Sequence, residues 1–182
     1  MLRAAQEKGL DASIVYPSGI YGPDDYAFGP TASVFIKYCS GGMPVGIQGS
    51  FNSVDVRDLA NGIINCITKG KKGEGYIMGN EMVTMKYIFE LISKYSGAPF
   101  VETYITAEQM IENAAASIPD GPDKESAVSE IAFGMYNLIR NNDFDDSKAR
   151  NELDYTTRSF EETVADEIEW LASVGKIVKR EE

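Results

Sequence analysis

Apolar residues along this chain fall into two alternating patterns, short unbroken runs and longer stretches with helical spacing. Ser13-Ile14-Val15-Tyr16, closed by Pro17, has the form of a strand buried in a parallel sheet. Asn52 to Val56, Tyr76 to Met78 and Phe100 to Ile105 read as further strands. The residues up to Lys8 have helix-forming composition and Gly9 stands at a C-terminal cap position, so the chain is expected to start partway along a helix. A helix is predicted from about Thr31 to Ser40, closed by Gly41-Gly42, and another from Arg57, with Leu59, Ala60, Ile63, Ile64 and Ile67 on one inward face.

In the second half helices dominate. Thr84 caps a helix whose inward face is Ile88, Leu91, Ile92 and Tyr95 and which Gly97 ends. Thr106 and Gln109 form a capping box for a helix reaching about Ser117, which Pro119 to Pro122 breaks. Helices then follow from about Lys124 to Arg140 and Ser147 to Leu153. A last one, opened by a capping box of Ser159 and Glu162, buries Phe160, Val164, Ile168 and Leu171. The fold class this implies is α/β, an incomplete parallel sheet followed by a mainly helical lobe. The expected division is 1–97 for the sheet part, with a loop at about 24–50, and 98–182 for the helical lobe.

Composition narrows the chemistry. The 182 residues carry 17 Lys and Arg against 28 Asp and Glu, a formal charge of −11 without a basic stripe, which disfavours nucleic acid and anionic membrane as partners. With no His, the Ser-His-Asp and Cys-His arrangements and His-containing zinc sites are excluded. Proton chemistry would have to come from Tyr, Lys, Asp, Glu or Cys. The two cysteines, Cys39 and Cys66, lie in helical segments without C-x-x-C spacing, and no metal site is expected. Together with the lack of a signal-like or membrane-length apolar run, this suggests a reduced, cytoplasmic setting. Near the Tyr76 to Met78 strand, Met78, Met82 and Met85 read as gap-fillers, and Asp58 as a complement to the first turn of its helix.

Four stretches, in order, carry a resemblance. They are Ile14-Val-Tyr-Pro-Ser-Gly-Ile-Tyr-Gly-Pro23, Val54-Asp-Val-Arg-Asp-Leu-Ala60, Gly73-Glu-Gly-Tyr-Ile-Met-Gly79, and Phe144 to Tyr155 followed by Ser159 to Thr163 and Trp170. Together they resemble the C-terminal half of an extended short-chain dehydrogenase/reductase, the superfamily of NAD(P)-dependent epimerases, dehydratases and reductases with a Rossmann-like fold. The wording looks most like the dihydroflavonol-reductase-like branch. The resemblance implies that Pro17, Ser18, Gly19 and Ile20 lie beside the nicotinamide ring of NAD or NADP. It also implies substrate contacts at Tyr21, Phe51 and Arg57, while the residues alone leave Tyr21 open between a pocket wall and a core aromatic. Pro17 and Gly19 also suit an ordinary turn off the sheet.

Two family features are not found in this sequence: a Gly-x-x-Gly-x-x-Gly loop for the pyrophosphate, and a Tyr-x-x-x-Lys pair for acid–base work. The resemblance therefore implies a fragment with no catalytic residue of its own, inactive and without cofactor when alone. Phe51 stands where nucleotide-sugar enzymes of the family usually carry an Arg for the diphosphate, and Tyr16 replaces an Arg common before the family's Pro. The expected parent is a carbonyl reductase of small organic substrates. One alternative is a nucleotide-sugar epimerase or dehydratase. Another is a non-catalytic module that assembles with a further chain, or with its own copy, through an exposed sheet edge.

Overall fold

The computed structural model describes Arg3 and residues 7–180. The chain runs β1 (Ile14–Pro17), β2 (Gly19–Tyr21), α1 (Pro30–Cys39), β3 (Gly46–Ile47), β4 (Ser50–Asp55), α2 (Val56–Lys69), β5 (Gly75–Met78) and β6 (Met82–Thr84). It continues through α3 (Met85–Ser96), β7 (Tyr104–Ile105), α4 (Ala107–Ser117), α5 (Lys124–Ile139), α6 (Ser147–Leu153) and α7 (Phe160–Ser173).

β1 and β2 are one extended run that changes partner at Ser18. The first part pairs parallel with β5, Ile14 opposite Gly75 and Pro17 opposite Met78, and the second pairs parallel with β4, Gly19 opposite Ser53. β4 also pairs antiparallel with β6, and β3 forms a separate parallel pair with β7. Two apolar clusters hold these elements. The larger packs Tyr21, Phe35, Phe89, Ile92, Phe160 and Ile168 where α1, α3 and α7 meet. The smaller packs Val54, Leu59, Tyr76 and Met78 against Ala149, Leu153 and Tyr155 from the region of α6.

Capping chemistry follows the sequence at Thr84 and Thr106, while the capping box expected of Ser159 and Glu162 is only half made, the Glu162 carboxylate facing Arg158 at 3.6 Å instead. The Thr84 and Ser159 side chains accept the backbone N–H of Tyr87 and Glu162, and Thr106 with Gln109 makes a reciprocal capping box. Gly97 ends α3 in the left-handed region at φ +70°. At the other end of the chain, Glu7 and Lys8 are helical and Gly9 has φ +69°, while residues 1, 2 and 4–6 of the expected opening helix lie outside the described residues. Cys39 and Cys66 are both buried in helices as free thiols, Met78 and Met85 fill core space, and Met82 is exposed.

Three expectations change. Of Phe100 to Ile105 only Tyr104–Ile105 forms a strand, because its partner β3 offers just two residues to pair with. The strand expected from Asn52 starts at Ser50 and yields to the helix at Val56. The apolar face of α2 is also rotated. Leu59, Gly62 and Cys66 are buried, but Ala60, Ile63, Ile64 and Ile67 are exposed. Gly62 lets α2 lie directly on Met78 and Tyr155, whose atoms would stand 2.8 and 2.9 Å from a Cβ there, and an Asp58–Arg158 ion pair holds the helix in that rotation. Among the described residues, no helix is long and apolar enough to cross a membrane and no cluster of three or more His, Cys, Asp or Glu could hold a metal ion.

Candidate functional site

The point where the β1–β2 run changes partner builds the site. Ser18 donates its backbone N–H to the Met78 carbonyl at 3.1 Å, while its Oγ is buried with no hydrogen-bond partner among the described residues. Gly19 follows in β2, where a Cβ would stand 2.9 Å from the Asn52 carbonyl oxygen. The close approach of two strands therefore requires glycine there, whatever ligand lies above it. Ile20 is exposed and Tyr21 is buried, its ring edge-on to Phe160 at 5.1 Å. Burial, and secondly the nearby Glu167, push the Tyr21 phenol well above its ordinary range, so it keeps its proton at neutral pH and is no base.

Two cavities open on either side of Tyr21. One, of about 500 Å³, is bordered by Ile20, the Gly22–Asp25 turn and Arg57. The other, of about 250 Å³, is lined by Gly19, Val34, Phe51, Met85 and Ile88. Tyr21 is thus a core aromatic that also borders both cavities. The structure brings Gly19, Ile20, Tyr21, Phe51 and Arg57 around the end of β2. Pro17 stands apart, in a third groove with Tyr16, Ile77 and Phe144.

The cation that borders the larger cavity is already paired. The Arg57 guanidinium holds Asp55 at 2.7 and 2.9 Å and reaches across to Asp166 on α7 at 2.6 Å. Burial alone would raise Asp55, but hydrogen bonds from Arg57 overcome it and hold the carboxyl below its usual range. Those same bonds raise Arg57. An incoming anion would compete with two carboxylates for this cation. Asp55 also caps α2, accepting the Arg57 N–H at 2.8 Å. Asp58, in the first helical turn, accepts the Arg158 backbone N–H and guanidinium at 2.8 and 2.9 Å and so fastens the closing lobe to α2.

One functional-looking residue escaped sequence reasoning. Glu167 on α7 is only 1% exposed and accepts the Gly22 N–H at 3.0 Å. Desolvation, with Asp25 and Asp55 adding to it, pushes its carboxyl up to about 8, although the Gly22 hydrogen bond works the other way. A signal was present. Phe160, Val164, Ile168 and Leu171 mark the buried stripe of α7, and Glu167 sits inside it. From the same helix Trp170 meets Tyr26 edge-on at 5.5 Å and stacks on Phe28 at 5.8 Å. The 22–29 loop is therefore held to α7 at both ends.

No profile of a known protein family matches the chain. A protein of Synechocystis sp. named after dihydroflavonol 4-reductase is 29% identical over 97% of the chain, and sterol demethylase protein B of Methylococcus capsulatus is 26% identical over 93%. The chain spans about half the length of these curated relatives, 52% in each case. Among solved structures, that of gox2253 superposes with a TM-score of 0.79 at 29% identity, covering 97% of this chain and 53% of that one. A dTDP-glucose 4,6-dehydratase of Bacillus anthracis, solved with NAD, has a TM-score of 0.68 at 19% identity, covering 98% of this chain and 50% of that one, and shows the fold alone. The α/β fold is Rossmann-like, and the resemblance to extended short-chain dehydrogenase/reductases on their dihydroflavonol-reductase-like side holds across nearly the whole chain, which corresponds to about half of such a protein.

Proposed function

We propose that this chain is the nicotinamide-side and substrate-side part of an NAD(P)-dependent oxidoreductase that reduces the carbonyl group of small, largely apolar organic molecules. The observation that carries the reading is the 250 Å³ cavity beside Gly19, walled by Tyr21, Val34, Phe51, Met85 and Ile88 with no cation among its lining residues. A neutral ring-bearing substrate gains there by leaving water. A nucleotide diphosphate finds no free partner, since Phe51 offers no charge and Arg57 is held by Asp55 and Asp166.

The residues fit one end of the cofactor only. The buried Ser18 Oγ, which has no partner among the described residues, can give and take a hydrogen bond with a carboxamide, and the exposed Ile20 can cover one face of a planar ring. When bound, NAD(P)H supplies the hydride. Nothing in the sequence has the glycine-rich form that holds a pyrophosphate, and Tyr21 is locked in its protonated form, so phosphate binding and proton donation fall to the part of the parent that this chain does not carry. The loop's contribution is positional: Ser18 and Ile20 would orient the ring, and the apolar cavity would exclude water from the carbonyl.

The reading is tested by NMR titration of the ¹⁵N-labelled chain. Acetophenone should shift the amides of Gly19, Val34, Phe51 and Ile88, UDP-glucose should leave them in place, and calorimetry should detect no micromolar NADH or NADPH binding. Shifts induced by UDP-glucose but not by the ketone would favour the nucleotide-sugar alternative. Micromolar dinucleotide binding would contradict the division of labour.

A further inference from the structure

The 22–29 loop rests on a buried acid. Glu167, on the inner stripe of α7, accepts the Gly22 N–H at 3.0 Å. Asp55 lies beside Gly22 as well, since one of its carboxylate oxygens would stand 3.3 Å from a Cβ there. The titratable groups that face Glu167 are all acids: the Tyr21 phenol on β2, Asp25 in the loop and Asp55 on β4. α1 and α3, which also pack on α7, bring apolar side chains to the same stripe. Arg57 is held by Asp55 and by Asp166, and among the described residues no ion pair reaches Glu167. An ionised Glu167 therefore has no counter-charge in the docked structure and has to reach water.

Of the two elements that enclose this carboxyl, the loop is the one that yields. Phe160, Val164, Ile168 and Leu171 fix α7 in the larger cluster and are at most 1% exposed. The loop is held to α7 by the Gly22 hydrogen bond and by Tyr26 and Phe28 on Trp170, with Lys176 lying 4.3 Å from the centre of the Phe28 ring. Within it Asp24 and Phe28 sit at φ +71° and +49°, a conformation that residues with a Cβ adopt only under constraint. Its first residues, Gly22 to Asp25, border the 500 Å³ cavity. We infer that Glu167 and the 22–29 loop form a proton-operated latch on this cavity: neutral Glu167 keeps the loop docked as one of its walls, and ionisation lets the loop lift off α7. The latch lies within this chain and works whatever reaction the parent performs. Burial keeps the proton on docked Glu167 up to about 8, whereas a lifted loop gives the carboxyl water and its ordinary 4.5. The ratio of open to docked loop thus rises about tenfold per pH unit between those values and levels off above 8.

Hydrogen exchange of the Gly22 amide, followed by NMR on the whole chain and corrected for its intrinsic rate, tests the latch. From pH 5.5 to 7.5 its protection should fall about tenfold per unit. That fall should be insensitive to low guanidinium, the mark of a local opening, while the Ile168 amide of α7 stays better protected throughout. Glu167→Gln keeps an oxygen for the Gly22 N–H but cannot ionise, so its Gly22 protection should not change with pH. Tyr26→Ala removes a contact to Trp170 from a side chain that is 70% exposed, which leaves the core untouched. It should lower Gly22 protection by a constant factor at every pH and keep the wild-type slope. A wild-type Gly22 protection that is level across this range overturns the inference. So does a Gly22 amide that exchanges together with Ile168, which would mean that it opens only when the whole chain unfolds. A slope that persists in Glu167→Gln, or a Tyr26→Ala chain with wild-type protection at Gly22, overturns it as well.

Discussion

A carboxyl group placed inside an apolar stripe makes stability depend on pH in a direction opposite to that of most acidic residues. In the folded chain Glu167 takes up its proton at about 8, against an ordinary value of 4.5, chiefly because burial penalises its charge. Between those values the folded state holds a proton that the unfolded state has released. The stabilisation is fully present below 4.5 and is lost as pH rises through 8. Glu167→Gln keeps an oxygen for the Gly22 N–H but cannot ionise. Its Tm should therefore gain on that of the wild type as pH goes from 5 to 9, and parallel Tm curves would show that Glu167 does not titrate in this range. Arg158 makes the opposite case. Removing it by Arg158→Ala leaves Asp58 and Asp55, both nearly buried, with fewer partners, and should cost about 2 kcal/mol in chemical denaturation at neutral pH.

Among the elements, identical caps should have different consequences because the helices behind them are packed differently. Thr84 caps α3, which buries Met85, Ile88, Phe89, Leu91 and Ile92, whereas Thr106 caps α4, which buries only Ala107. Each Thr→Ala removes a hydrogen bond worth about 1 kcal/mol. At Thr84 the loss should lower the Tm of the whole molecule. At Thr106 it should speed hydrogen exchange in α4 and leave the Tm almost unmoved, because that helix opens locally. A matching fall in Tm for both variants would show α4 to be part of the cooperative core. These caps were legible in the sequence because they are local chemistry, as were the strand at Ile14 to Tyr16 and the buried stripe of α7. The rotation of α2 was not. Periodicity groups Leu59 with Ile63 and Ile67, but the contacts that choose the buried stripe come from Met78, Tyr155 and Arg158, distant in sequence. The same holds at the site. Pro17 to Tyr21 could be read from the chain, while Arg57 pairing with Asp166 and Glu167 lying beneath Gly22 depend on how α7 docks.

At the scale of the whole molecule, the two apolar clusters are unequally protected. The larger one is enclosed by α1, α3 and α7, but the smaller one lies in the layer formed by β1 and β5, whose outer face carries the exposed Tyr16 and Ile77 and whose β1 edge meets no further strand among the described residues. With less apolar surface closing it off, the smaller cluster should be the first to open. Native-state hydrogen exchange in rising guanidinium should release the amides of β5 and α6 before those of α3 and α7. Point substitutions provide a sharper test. Leu153→Ala and Ile168→Ala each empty a fully buried site and should cost about 2 to 5 kcal/mol locally. Leu153→Ala should advance only the opening of β5 and α6. Ile168→Ala should bring the opening of α3 and α7 down toward that of the smaller cluster. If both substitutions shift every amide equally, the chain folds as one cooperative unit, and the exposed sheet face costs it no independent stability.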